Sequence, residues 1–192
     1  MIRIRKNTTR GVTKIGWLTS YHSFSFNRYY DREYVHFGPL RVLNDDIVVP
    51  GAGFETHPHD NMEIVTYVLR GALEHRDSTG TQGVIRAGEV QRMSAGTGIM
   101  HSESNHSKNE PVHLLQIWFF PDKEDLSPEY EQKSFSTEQR LNVLLPVASG
   151  KKDTGGVFIH QDAGMSVSRL EILHTLKYPV SERHIIPVVP LA

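Results

Sequence analysis

The 192-residue sequence contains no cysteine. Disulfides and thiolate metal sites are therefore excluded, and the compartment clue that cysteine usage provides is lost. It also lacks a charge excess: 21 Lys and Arg stand against 22 Asp and Glu, a net charge of −1. There is thus no electrostatic case for direct nucleic-acid contact or for an anionic membrane. Long hydrophobic runs are missing too. The opening Met1-Ile2-Arg3-Ile4-Arg5-Lys6 is basic, but no apolar stretch follows it, which argues against a secretory signal. No segment approaches the length of a membrane span. A soluble, cytoplasmic protein is the default expectation. Helical periodicity is scarce, and neither low-complexity tracts nor clear internal repeats are found.

What is present is a series of short runs rich in Val, Ile, Tyr and Phe, at 41–49, 62–69, 112–120, 141–147 and 157–160. Turn signals separate them, among them Gly51-Ala52-Gly53, Ser78-Thr79-Gly80, Gly96-Thr97-Gly98 and Gly155-Gly156. Many short strands at this spacing predict an all-β antiparallel sandwich or closed barrel rather than a βαβ sheet. The polar, turn-rich stretch 122–138 reads as a crossover between two β units, with room for one helical turn. A chain of this length can bury one large core or two small ones.

Histidine is plentiful, with 11 copies, and without thiols that favours an imidazole site for a borderline transition metal. Two pairs stand out: His57-Pro58-His59, and His101-Ser102-Glu103. In an extended strand, residues i and i+2 point to one face, so each pair can aim both side chains at one point. A lone His-x-His is a weak signal in so histidine-rich a chain, and His-Pro-His could equally be a strand-edge turn. Against this, Gly51 and Gly53 precede the first pair, and Gly96 and Gly98 precede the second in the same way. The separation also suits two hairpin-connected neighbouring strands. His57, His59, His101 and Glu103 are therefore the expected ligands of one metal ion. Glu63 shares the parity of His57 and His59 and can face inward, as a reserve ligand or as a base orienting one. Glu103 is the better ligand, because its relation to His101 mirrors the first pair.

The segment from Gly51 to His59, with Glu63, is similar to the first cupin motif: a glycine, a spacer, His-x-His and a following Glu. More narrowly, Phe54-Glu55-Thr56-His57-Pro58-His59, Thr66-Tyr67-Val68-Leu69-Arg70-Gly71 and Glu74-His75-Arg76-Asp77-Ser78 resemble the pirin family. So do the stretch from Met93 to Glu103, Tyr21-His22-Ser23-Phe24-Ser25-Phe26 and His113-Leu114-Leu115-Gln116-Ile117-Trp118. The resemblance implies a bicupin of two jelly-roll barrels with one iron in the first. The family's ligand positions fall on the same His57, His59, His101 and Glu103.

Such a ligand set leaves coordination positions open, the mark of a catalytic rather than a structural site. It suits Fe(II) and also tolerates Mn, Co, Ni, Cu or Zn. Bacterial pirins resemble quercetin 2,3-dioxygenases, which cleave a flavonol with O2 and release carbon monoxide. The resemblance implies a small aromatic substrate bound through its 3-hydroxyl oxygen, with Glu103 as both ligand and catalytic base. Phe24, Phe26, Phe54 and Trp118 are candidates to line an apolar pocket for it. The family also implies an alternative, a non-enzymatic iron-binding regulatory protein that binds a partner protein. His22, His75, His113 and His160 are expected to be hydrogen-bonded structural histidines, and His106 and His184 sit in polar stretches.

Pirins are longer than this chain. The expected organisation is a complete cupin barrel at 1–121, a crossover at 122–138 and a shortened second barrel at 139–192. The apolar, proline-bearing stretch 185–192 is expected to be an edge or tail. An incomplete barrel exposes edges and apolar surface, so a homo-oligomer is expected to cover them.

Overall fold

A computed structural model of the chain describes residues 5–178; His184 and the expected tail at 185–192 lie outside them. After a short 3-10 turn at Asn7–Thr9 come β1 (Gly11–Ile15), β2 (Leu18–His22), β3 (Leu40–Val48) and β4 (Gly53–His59). Then follow β5 (Glu63–Arg70), β6 (Ala72–Asp77), β7 (Gln82–Arg86), β8 (Glu89–Ser94), β9 (Ile99–Asn105) and β10 (Val112–Phe119). The chain continues with β11 (Glu129–Ser134), β12 (Leu145–Ser149), β13 (Val157–Phe158) and β14 (Gly164–Val167). The described residues contain no α-helix, as the missing helical periodicity requires, and no helix long and apolar enough to cross a membrane.

Two antiparallel sheets form the main body. The larger runs β1-β2-β3-β10-β5-β8-β11 and the smaller β4-β9-β6-β7. Side chains from both sheets meet in the interior. Leu18, Val48, Val68, Leu73, Ile85, Val112 and Leu114 fill one end, and Ile64, Met93, Ala95 and Ile99 fill the other. Each of the larger side chains among them, Leu, Ile, Val or Met, contributes about 1.5–3 kcal/mol when fully buried.

The strict alternation of β3, buried at every second residue from Leu40 to Val48, is the period expected of a strand with one covered face. By contrast, β5 is buried at six successive residues, because both of its faces are covered. Ile64 and Val68 point into the interior, whereas Val65 and Tyr67 join Leu115, Ile117 and Phe119 in a second core on the opposite face. That outer core is closed by Val147, Ala148, Val157 and Ile159 from a three-stranded sheet ordered β13-β12-β14. The C-terminal strands thus pack against the back of the larger sheet.

Two expectations are corrected here. The segment 122–138 holds a strand and no helical turn: β11 extends the larger sheet by pairing with β8 along its whole length. And β4 and β9, the two strands with the paired candidate ligands, are antiparallel neighbours without a hairpin, because β5 to β8 come between them in sequence. The pairing comes from the jelly-roll crossover between sheets.

Candidate metal centre

His57 stands directly opposite His101 in the β4–β9 ladder, but Phe54 stands opposite Glu103. The register shifts between Phe54 and His57, so one extra residue is accommodated in β4 as a bulge. Burial follows it: Phe54, His57 and His59 are partly covered, while Glu55, Thr56 and Pro58 are exposed. The bulge brings Phe54 to the same covered face as His57 and His59, whose own register with β9 is unbroken.

Three imidazoles converge there. The Nε2 atoms of His57 and His101 are 2.9 Å apart. The rings of His57, His59 and His101 have centroids 4.4–4.9 Å from one another, and their ligating nitrogens all lie within 4.8 Å. His57 donates its Nδ1–H to the Glu55 carbonyl at 2.7 Å, which leaves the Nε2 lone pair free and fixes the ring. The His59 Nε2 is buried with no hydrogen-bond partner. Burial, then the neighbouring His57, holds the His59 imidazole down at about 4. Burial and the surrounding histidines hold His101 at about 2. Both rings are therefore neutral at physiological pH, with lone pairs available. Neutral nitrogens facing one another this closely, one of them orphaned, fit a bound cation.

Glu103 belongs to a second, overlapping cluster with His75 and His101, whose ligand atoms also lie within 4.8 Å of each other. Its Oε2 accepts from Gln116 Nε2 at 2.6 Å, and Thr66 Oγ1 donates to Oε1 at 3.5 Å. Burial pushes the Glu103 carboxyl up to about 7, helped by the charge of Asp46 and opposed by the Gln116 hydrogen bond. A cation beside it would pull that value down again.

Glu63 does not join the histidines. It is buried, with its Oε2 accepting the His160 backbone N–H at 3.0 Å, on the β5 face that carries Val65 and Tyr67. Parity with His57 and His59 failed because residues 60–62 turn the chain from one sheet into the other, which resets the face. Of the four aromatic pocket candidates, Trp118 lies against His59, with ring centroids 4.8 Å apart, and Phe26 lies behind it at 5.4 Å. Phe24 instead belongs to the outer core, and Phe54 packs on Trp17 at the far end of the interior. A cleft of about 280 Å³ opens beside His59, lined by Pro58, Asp60, Ser78, Thr97, Ile99 and Met100 among others.

The remaining histidines divide. His22 donates to Asn44 Oδ1 and His113 to Asp45 Oδ1, at 2.8 and 2.6 Å, as structural histidines do. His75, placed by sequence in the same class, is fully buried beside His101 and Glu103. Its period on β6 matched an inward position, but nothing local marked which strand would lie alongside.

Comparison with known proteins identifies the family. The family model described as Pirin matches residues 3–119. The quercetin 2,3-dioxygenase of Escherichia coli K12 is 49% identical over 162 residues, covering 84% of this chain and 69% of that protein. A putative quercetin 2,3-dioxygenase of Mycobacterium tuberculosis is 46% identical over 180 residues, covering 93% and 74%. Among solved structures, YhhW of Escherichia coli superposes with a TM-score of 0.83 at 47% identity, covering 86% of this chain and 70% of that one. The nickel(II) complex of the same bacterial pirin gives 0.81 at 47% identity, covering 85% and 69%. On the family match, these identities and the shared two-sheet fold, the chain belongs to the pirin family.

Proposed function

We propose that the chain binds one divalent metal ion, Fe(II) in its working form, at His57, His59 and His101 with Glu103 as the carboxylate. We propose further that it uses this ion to cleave a flavonol such as quercetin with O2. The observation that carries the reading is the set of three imidazoles whose nitrogens lie within 4.8 Å of one another, with the His59 Nε2 buried and unpartnered. The names of relatives that are nearly half identical support the substrate class.

A bound divalent ion supplies Lewis acidity and redox chemistry toward an enol and O2. The chain supplies the rest. Glu103 Oε1, which carries only the long Thr66 contact, would accept the 3-hydroxyl proton while Gln116 holds Oε2. The indole N–H of Trp118 is buried without a partner and offers a donor to a substrate oxygen beside His59. Pro58, Ile99 and Met100 give the cleft its apolar wall, and its volume lies near the small end of ligand sites, roughly 300–1,000 Å³.

The test is turnover. Protein loaded with Fe(II) and mixed with quercetin in air should lose flavonol absorbance, and His101→Ala should lose both metal and turnover. Metal binding without any loss of absorbance would sink the dioxygenase reading and favour an iron-binding regulatory protein with a protein partner.

A further inference from the structure

Behind the metal-facing histidines runs a chain of buried groups. The Nδ1 of His101, on the far side of the ring from the cluster, lies 3.5 Å from Nδ1 of His75. The Nε2 of His75 lies 3.0 Å from Asp77 Oδ2. His101 and His75 are 1% and 0% exposed, and the Asp77 side chain is fully covered. The carboxylate is itself anchored: its Oδ1 accepts from Thr79 N, Thr79 Oγ1 and Thr81 N at 2.9, 2.6 and 3.2 Å. The ladder brings these groups together, since His75 pairs with Glu103 and Asp77 with His101 across β6 and β9. Tyr130 of β11 closes the far side of His75, with ring centroids 5.1 Å apart.

One arrangement of protons satisfies the whole chain. An ionised Asp77 can only accept, so His75 carries its proton on Nε2 and presents a lone pair at Nδ1. That lone pair takes the Nδ1–H of His101, whose own lone pair is then at Nε2. This is the nitrogen that meets His57. The metal-facing tautomer of His101 is thus dictated from Asp77.

We propose that Asp77 and His75 are positioning residues for the metal centre, a carboxylate–histidine relay that fixes the tautomer and orientation of His101 and raises the electron density on its Nε2. The proposal rests on the reading that a metal binds at His57, His59 and His101. Hydrogen-bond partners of ligating histidines are worth about 10–100-fold in metal affinity. A negative charge relayed to a ligand also stabilises the higher oxidation state of the metal.

The experiment measures nickel(II) affinity and stoichiometry by calorimetry, and the Fe(III)/Fe(II) midpoint potential, in the full chain and its variants. Asp77→Asn and His75→Phe should each weaken nickel(II) about 10–100-fold at one ion per chain, and Asp77→Asn should move the potential upward. Arg76→Ala, between them on β6 but turned outward onto Glu74, should leave affinity and potential unchanged. If His75→Phe does not fold, the nearly isosteric Asp77→Asn decides alone. Affinity and potential within twofold and within error of wild type, in folded variants, would overturn the relay. So would two nickel ions per wild-type chain with one lost in His75→Phe, since His75, His101 and Glu103 would then be ligands of a second ion. A wild-type chain that binds no nickel would overturn the metal reading itself.

Discussion

At Asp46 the barrel interior holds a carboxylate with one oxygen unpartnered. Burial pushes it up to about 7, against the hydrogen bond from Ser20 and with the charge of Asp45. The raised value makes the neutral acid the favoured folded form. Asp46 therefore supports the fold fully below about pH 4, and that support is lost as pH rises toward 7, by about 4 kcal/mol in total. In metal-free protein the melting midpoint of Asp46→Asn should rise relative to that of the parent as pH increases across this window, and should exceed it at pH 8. Parallel curves for the two proteins would contradict this. Glu63 offers a second residue-scale prediction. With its carboxylate on the His160 N–H and its side chain on the outer face, Glu63→Ala should cost about 1–3 kcal/mol of stability and leave nickel(II) affinity unchanged. Lost affinity in the folded variant would return Glu63 to the metal site.

Within single elements, the decisive feature is the bulge of β4. It could not be read from the sequence, because Phe54 to His59 contains no residue that demands an extra position; the demand comes from the register with β9. Deleting Thr56 should return β4 to strict alternation and, with His57 still opposite His101, turn Phe54 outward, lowering stability while metal binding persists; lost metal binding in the folded variant would show that His57 is displaced instead. Gly53 belongs to the same element. A Cβ there would meet the Glu103 carbonyl oxygen at 2.2 Å and the Ser104 Cα at 2.5 Å, so the glycine is required for close approach of β4 to β9. Gly53→Ala should destabilise the protein by about 1–3 kcal/mol, measured by denaturant titration, and should weaken metal binding by pushing His57 away from His101. At Gly96 the reason is double, a φ of +48° and the Leu126 carbonyl oxygen where a Cβ would sit. The sequence marked both glycines as turn signals, and the structure makes both of them packing requirements.

For the molecule as a whole, the outer core joins the three-stranded sheet to the main body, but it leaves an apolar surface beside it. Leu141, Val143 and Leu144 run next to Leu170, Ile172 and Leu173, joined by the Asn142 N–H to the Arg169 carbonyl at 2.9 Å. Ile172 and Leu173 are 91% and 98% exposed. A surface of this kind invites self-association. Sedimentation should show a dimer or larger assembly, and Ile172→Asp with Leu173→Asp should shift it toward monomer without affecting the metal site. A monomer at high concentration in the parent chain would refute this.

The sequence by itself determined the local periodicities. It held the strand runs, the absence of helix among the described residues, and two candidate ligand pairs spaced to share a face, because alternation within one strand depends only on the backbone. It could not say which face of β5 takes Glu63, since both faces are buried and the intervening turn resets parity. Nor could it show that β11 would extend the larger sheet, because the polar, partly exposed strand 129–134 lacks an apolar stripe. The bulge, the Asp77–His75–His101 chain and the separation of Phe24 and Phe54 from the cleft were decided only by the tertiary structure. Each depends on which strand lies opposite, and sheet pairing between residues distant in sequence leaves no local mark.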